Sequence, residues 1–103
     1  MTTYASYAYS RQVGFEWNDL KEAQNLRFHG VDFSESAECF DDPLARVRAD
    51  PEHSRHEHRF IIIGRSNKGR ILLTVFTDRG VEIRIISSRR ATRREVRDYE
   101  ERV

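Results

Sequence analysis

Residues 81–99, VEIRIISSRRATRREVRDY, predict a strand that runs through an arginine cluster into a helix. Apolar Ile83 and Ile85 alternate with charged Arg84, which is typical of a strand with one buried face. Ile86 interrupts this alternation, so we expect both faces of the strand to be partly covered. This stretch therefore anchors the fold and holds most of the candidate functional residues.

The helix in this stretch is predicted to begin at Thr92, because Thr92 and Glu95 have the spacing of a capping box. Four arginines surround this start: Arg89, Arg90, Arg93 and Arg94. Cations oppose the helix dipole at this end, at a cost of roughly 0.3 to 1 kcal/mol each when exposed. A phosphate bound by the helix amides and the guanidinium groups would relieve that conflict. The alternative is a solvated helix whose arginines pair with its own acidic residues.

Length and composition predict one domain, because a chain of 103 residues encloses a single modest core. Residues 1–12 are rich in Tyr, Ser and Ala and are predicted to form a flexible extension, which leaves 13–103 as the domain. The single cysteine, Cys39, cannot form an intramolecular disulfide and is expected to be a buried, inert thiol. No apolar stretch suits a signal peptide or a membrane span, so we expect a soluble cytoplasmic protein.

The net charge of +1 conceals opposite charges in the two parts of the chain. Residues 1–58 contain 6 Lys and Arg against 11 Asp and Glu, whereas residues 59–103 contain 12 against 6. All but one of these 12 cations are arginines, whose planar group suits bidentate contact with phosphate. The second part therefore predicts binding to a polyanion or to an acidic protein.

The beginning of the domain predicts a strand and a helix. Alternating apolar residues indicate a strand over residues 13–17. A helix is predicted to begin at Asn18 or Asp19 and to run to about His29, where Gly30 ends it. Its inward residues are predicted to be Leu20, Ala23 and Leu26, and its exposed residues Lys21, Glu22 and Asn25.

The remaining elements predict a helical hairpin and a meander. A second helix is expected from Ser34, followed by a long loop over 41–57 with a short extended piece near 45–48. Strands over 59–65 and 71–77 precede the strand of the opening stretch, with turns between them. The predicted fold is α+β, with the helical hairpin packed on a small antiparallel sheet of about four strands and the C-terminal helix along one edge.

Three arginines of the predicted meander are candidates for a shared site. Arg59 and Arg65 have the same parity on their strand and are expected to point to one face of the sheet. If the helical hairpin covers the other face, Arg59 and Arg65 project together with Arg84. The alternative is that each arginine lies at a strand end in solvent.

A histidine cluster precedes the meander but does not predict a metal site. His53, His56 and His58 lie within six residues. Their spacing is not HExxH, no helix is predicted there, and Cys39 lies far away in the sequence. We therefore expect neither a metal nor another cofactor.

The residues beside the meander suit the cleavage of RNA without a metal. This reaction needs a base for the 2′-hydroxyl, cations for the charge on phosphorus and an acid for the leaving 5′-oxygen. Arginine supplies the cations. Glu57 or His58, just before Arg59, is the candidate base. Tyr99 is a candidate acid that protonates the leaving 5′-oxygen. The alternative is that Tyr99 only packs its helix against the domain.

Three segments, in order, carry a resemblance to a known family: FEWNDLKEAQNLRFHGVDFSESAECFDDP, EHRFIIIGRSNKGRILLTVFT and RIISSRRATRREVRDYE. From about residue 15 to 101 the chain resembles the BrnT family of RelE-like toxins of bacterial type II toxin-antitoxin systems. Phe28 stands where many relatives have lysine, and Ser88 where they have alanine. The matching polar positions are Lys21, His29, Glu57, Arg59, Arg65, Arg84, Arg89, Arg90 and Tyr99.

The resemblance implies a RelE-like fold and a ribonuclease activity that inhibits translation. It also implies a BrnA-type antitoxin with a ribbon-helix-helix domain, whose complex with the toxin binds operator DNA and represses the operon. The expected catalytic residues are Glu57, His58, Arg59, Arg65, Arg84 and Tyr99, and the expected RNA-binding residues are Arg89, Arg90, Arg93 and Arg94. The alternative function is a non-catalytic module, either an inactivated toxin or a co-repressor subunit, that binds antitoxin or nucleic acid without cleavage.

Overall fold

The fold is built around one mixed β-sheet. The computed structural model describes residues 2–3, 14–53 and 57–101. Within these residues, six strands have the spatial order β1-β3-β4-β5-β6-β2. The strands are β1 (Thr2–Thr3), β2 (Gly14–Glu16), β3 (Arg46–Ala49), β4 (Phe60–Arg65), β5 (Ile71–Asp78) and β6 (Glu82–Arg90). The helices are α1 (Asp19–His29), α2 (Phe33–Glu38) and α3 (Arg93–Glu100), and none of them is long and apolar enough to cross a membrane.

The α+β class and the meander β4-β5-β6 are confirmed, while the sheet differs from the prediction in two respects. First, β2 pairs with β6 in parallel, so the sheet is mixed and not antiparallel. Second, the described sheet has more than four strands, because the short extended piece expected near 45–48 is the strand β3 and β1 pairs with it. Thr2–Thr3 belong to the predicted extension, whose residues 4–12 lie outside the described part of the chain.

The predicted orientation of α1 is wrong. Leu20, Ala23 and Leu26 are exposed, whereas Asn25 is buried. The Asn25 amide donates to the carbonyl oxygens of Ser88 (2.7 Å) and Val31 (2.9 Å), and its Oδ1 accepts the Ser88 amide (3.0 Å). Asn25 therefore satisfies the backbone of β6 as a neighbouring strand would, beyond the point where β2 ends.

The two helices of the first half do not form the predicted hairpin. Each contacts β6, and contacts between α1 and α2 are few. One link joins them, because the Phe33 amide donates to a carboxylate oxygen of Glu22 at 3.0 Å. The sheet therefore positions both helices, and this hydrogen bond links them.

The main core lies on one face of the sheet, called the core face here. Phe40, in a 3-10 turn after α2, packs between Phe15 and Phe76 with ring centroids 5.2 and 4.9 Å apart. These contacts hold α2 and its turn against the sheet. The buried core-face residues are Phe40, Ala45, Val47, Ile62, Phe76 and Ile83.

Gly64 allows the turn after α2 to approach the sheet closely. A Cβ atom at Gly64 would lie 2.9 Å from the Cys39 carbonyl oxygen and 3.3 Å from the Ala45 Cβ. Cys39 is buried, as predicted, and burial raises the pKa of its thiol. Backbone therefore meets backbone at Gly64, where no larger residue fits.

Gly64→Ala is expected to lower the free energy of unfolding by about 2 kcal/mol, because an overpacked core must shift backbone. Denaturant unfolding measures this change. Gly14→Ala is the matched control, since a Cβ at Gly14 would come no closer than 3.7 Å to another residue. Equal stability of the two variants would contradict this account of Gly64.

Candidate functional site

The second face of the sheet, called the groove face here, carries a row of side chains across four strands. Arg48 pairs with Ile61, Ile61 with Val75, and Val75 with Ser87. Paired residues point to the same face, and neighbouring strands are about 4.8 Å apart. Arg48 and Ser87 are therefore separated by roughly 14 Å, with an apolar floor between them.

Helix α3 covers one end of the groove face. Buried Tyr99 packs there with Ile61, Ile63 and Leu73. Its hydroxyl donates to Asp42 at 2.5 Å. Burial, followed by the Asp42 carboxylate, raises the pKa of Tyr99 to about 12. Tyr99 therefore holds α3 on the sheet with a protonated hydroxyl.

The part of this face that α3 leaves uncovered is a groove of about 710 Å³. Its floor is apolar, and its rim includes three arginines, one histidine and three carboxylates. The lining residues are His29, Arg48, Asp50, Pro51, Glu52, Arg59, Ile61, Leu73, Val75, Ile86, Ser87, Ser88, Arg89 and Glu95. This arrangement suits a ligand with both apolar and anionic parts.

A β-bulge in β6 brings Arg89 to the groove. Val75 pairs with Ser87, but the next residue of β5, Phe76, pairs with Ile85, so Ile86 has no partner in the ladder. An extra residue reverses the alternation beyond it. Arg89 therefore lies on the same face as Arg84 although their parity differs.

The Glu95 carboxylate occupies the position at the start of α3 where the sequence suggests a bound phosphate. The predicted capping box is confirmed, since Thr92 and Glu95 bond reciprocally. The same carboxylate accepts two bonds from the Arg89 guanidinium, at 2.8 and 2.9 Å. These bonds, led by Arg89, lower the pKa of Glu95 to about 2. The protein thus supplies an anion where the sequence suggested a bound phosphate.

Glu95→Gln is expected to weaken the fold at neutral pH and to flatten its response to acid. The pKa of Glu95 falls from 4.5 to about 2 in the folded protein, so its charge stabilises the fold fully above pH 4.5. This stabilisation, about 2 kcal/mol because Arg89 is partly in water, is lost as the pH falls toward 2. Urea unfolding across this range should show a steeper loss for wild type than for Glu95→Gln. Glu100→Gln, at an exposed position of the same helix, is the control. If the free energy of unfolding fell equally steeply with pH in wild type and in Glu95→Gln, the Glu95 carboxylate would not stabilise the fold.

Arg59 lines the groove, whereas Arg84 does not. Phe60 pairs with Phe76, which places Arg59 beside Thr77, the partner of Arg84. Arg84 Nη1 is 3.8 Å from Glu16. Arg59 and Arg84 therefore share the face and lie about two strand spacings, or roughly 10 Å, apart.

Arg65 is separated from Arg59 by the length of β4. Six residues of extended chain span roughly 20 Å. The Arg65 guanidinium lies 5.9 Å from the Tyr99 ring centroid and donates to the Gly69 carbonyl. The two arginines share a face, as predicted, but the structure does not bring them together.

The candidate bases Glu57 and His58 do not line the groove. Glu57 accepts a bond from Arg79 at 3.3 Å, and Arg79 also bonds Glu16. His58 is exposed. Of the other clustered histidines, His56 and the side chain of His53 lie outside the described residues, so the expected absence of a metal there stays a prediction.

The remaining predicted RNA-binding arginines are on the surface outside the groove. Arg90, Arg93 and Arg94 are exposed around the start of α3. Arg89 alone of the four lines the groove. These three arginines add positive charge beside the groove without forming its wall.

Sequence reasoning missed two groove residues. Arg48 lies on β3, which is the short extended piece expected near 45–48, but a short piece inside a loop gives no pattern that assigns its side chains to a face. His29 ends α1, and its position follows from the burial of Asn25 one turn earlier. The family resemblance indicated His29 without a role, while spacing gave no signal for either residue.

Comparisons with known proteins assign this chain to a protein family. The model of the family described as ribonuclease toxin, BrnT, of type II toxin-antitoxin system matches residues 17–95. A crystal structure of the Brucella abortus ribonuclease toxin BrnT has a similar fold, with a TM-score of 0.62 and 24% sequence identity. That likeness covers 79% of this chain and 99% of the Brucella chain. A comparison with curated proteins gives no match. Since the family model spans most of the fold described above, this protein belongs to the BrnT family of ribonuclease toxins of type II toxin-antitoxin systems.

Proposed function

We propose that this toxin binds RNA in the groove and cleaves it without a metal, by attack of the 2′-hydroxyl. The observation that carries the proposal is the convergence of Arg48, Arg59, Arg89 and His29 on one groove with an apolar floor. Cations there stabilise the charge that develops on the scissile phosphate. Cleavage of messenger RNA in this way inhibits translation.

Arg59 and Arg48 are the proposed phosphate ligands. A guanidinium group donates two parallel hydrogen bonds to phosphate oxygens, and this geometry holds the phosphate in place. Arg89 is already bound by Glu95, so it contributes positive charge from a fixed position. Ile61 and Val75, on the floor, offer apolar surface to a sugar or a base.

His29 is the proposed general base, in place of Glu57 or His58. It lines the groove, and an imidazole nitrogen is a suitable proton acceptor. His29 accepts the 2′-hydroxyl proton, the 2′-oxygen bonds to phosphorus, and the bond from phosphorus to the 5′-oxygen breaks. The leaving oxygen takes a proton from water at the open side of the groove. The products carry a 2′,3′-cyclic phosphate and a 5′-hydroxyl.

The other predicted residues have supporting roles in this proposal. Tyr99 anchors α3, because its hydroxyl is committed to Asp42. Arg84 raises the positive potential at the edge of the groove, and Arg65 helps to fix Tyr99. The exposed arginines of the α3 start, Arg90, Arg93 and Arg94, guide RNA toward the groove.

The proposed cellular setting follows from the family. A type II system pairs the toxin with a protein antitoxin, which we propose to be BrnA-like with a ribbon-helix-helix domain. The complex contacts operator DNA through the antitoxin. The toxin acts on RNA in the cytoplasm.

A nuclease assay tests the proposal. The purified chain, incubated with an end-labelled RNA of defined sequence, is expected to yield cyclic-phosphate ends with and without EDTA. His29→Ala should lower the rate at least 100-fold, while RNA binding changes little. Intact RNA with undiminished RNA or antitoxin binding would instead establish the non-catalytic module, and loss of activity in EDTA would refute metal independence.

A further inference from the structure

Helix α1 exposes three large apolar side chains to solvent. Leu20 is 68% exposed, Leu26 50% and Phe28 73%. Among the described residues, five large apolar side chains are exposed, and α1 holds three of them. Isolated exposed apolar residues are ordinary, but Leu20 and Phe28 lie along one side of the same helix, and such a pairing marks a contact surface.

The outward orientation of these residues is set by polar contacts. Glu22 and Asn25, three residues apart on the inner side of α1, bond the Phe33 amide and the Ser88 backbone. A helix attached through polar groups must direct its remaining sides outward. Rotation of α1 to bury Leu20 would break the buried bonds of Asn25.

The exposed apolar residues continue toward the groove. Leu20 and Phe28 are eight residues apart, which places them on one side of α1 about 12 Å apart along its axis. Phe28 lines a cleft of about 250 Å³ with Ile86 and Ser87. Ile86 and Ser87 also line the groove, so the two surfaces are continuous.

The charges around these residues select the kind of partner. Lys21 lines the same cleft as Phe28, and the Arg27 guanidinium lies 5.9 Å from the centre of the Phe28 ring. The groove beyond is mixed, with three arginines and three carboxylates, so the positive charge beside Phe28 comes from Lys21 and Arg27. A second copy of this chain would bring like charges together, whereas an acidic partner complements them. Aliphatic Leu20 offers RNA no ring for base stacking, so a protein suits the surface better.

We propose that this surface, formed by Leu20, Lys21, Phe28 and Ile86 and called the α1 surface here, binds the antitoxin. The bound part of the antitoxin is an amphipathic, acidic helix, with apolar residues two turns apart on Leu20 and Phe28 and carboxylates directed toward the groove. The antitoxin thus lies beside His29 and competes with RNA for the groove entrance. This inference rests on the antitoxin partner of the family and not on the proposed cleavage.

Calorimetric titration of the toxin with its purified cognate antitoxin tests the proposal. Leu20→Glu and Phe28→Glu are each expected to raise the dissociation constant at least 50-fold, because they place acid against an acidic, apolar helix. Val81→Glu is the matched control, since Val81 is 82% exposed at the distant β5-β6 turn and should change the constant less than twofold. Thermal melting checks that all three variants stay folded.

Every other outcome of this experiment overturns the proposal. Unchanged antitoxin affinity in both α1 variants would exclude the α1 surface. Intact antitoxin binding with weakened RNA binding would assign the surface to RNA. A wild-type dimer in sedimentation that Leu20→Glu dissociates, with antitoxin binding unchanged, would assign it to a second copy. Binding is measured without any cleavage, so failure of the proposed nuclease activity leaves this result readable.

Discussion

Arg59→Ala is expected to lower the rate of RNA cleavage by about 100- to 1,000-fold, the effect of removing one preorganised group that stabilises transition-state charge. Arg59 lines the groove next to the apolar floor, and its neighbour across Thr77 is Arg84. Neither Arg48 nor Arg84 can replace its guanidinium, because each lies on another strand. Single-turnover cleavage of a short labelled RNA measures the loss.

Two further variants make this result specific. Arg59→Lys keeps the charge but loses the bidentate geometry, so we expect it to cleave RNA faster than Arg59→Ala but more slowly than wild type. Arg65→Ala removes an arginine of the same strand and the same face, about 20 Å away and beside Tyr99. Cleavage should then fall less than fivefold. If Arg65→Ala were the more damaging change, the reaction would lie on the other side of α3 and the groove assignment would fail.

Asn25→Leu is expected to lower the free energy of unfolding by about 3 kcal/mol, because three buried backbone groups lose their partners. These groups are the Ser88 N–H, the Ser88 carbonyl and the Val31 carbonyl. Leucine has the same branching and the same number of side-chain heavy atoms as asparagine, so the change chiefly removes the hydrogen bonds. Urea unfolding gives the value.

The same substitution should also reduce cleavage, because His29 follows Asn25 by one helical turn. Release of the α1 end from β6 displaces the imidazole of His29. We therefore expect the cleavage rate to fall at least tenfold at temperatures where the variant is folded. Gln24→Leu, at the adjacent exposed position, is the control. Its free energy of unfolding should stay within about 0.5 kcal/mol of the wild-type value. A stable Asn25→Leu protein would show that α1 is held by other contacts.

Helix α1 shows why periodicity predicts an element more readily than its orientation. Its start, its end at Gly30 and its capping follow from local sequence and are confirmed. The inward direction was predicted from apolar spacing, whereas the helix lies at the open edge of β6, where unpaired backbone groups need a polar partner. Asn25 meets that need, and the apolar residues are left for another surface.

The groove shows a similar limit for strands. Alternation in β4 correctly places Arg59 and Arg65 on one face. In β6 the bulge at Ile86 reverses the alternation, so parity alone would have put Arg84 and Arg89 on opposite faces. Sequence showed that Ile86 interrupts the pattern, but the change of register depends on pairing with β5.

The sequence by itself determined the meander, the capped helices, the basic second half and, through ordered motifs, the family. These features depend on neighbours in the chain, on composition or on a long ordered pattern. Only the tertiary structure decided that Arg48, Arg59 and His29 share one groove, that Glu95 fills the anion position at α3, and that α1 faces outward. Each of these depends on partners far apart in the sequence, whose register, bulges and edges are set when the strands pair.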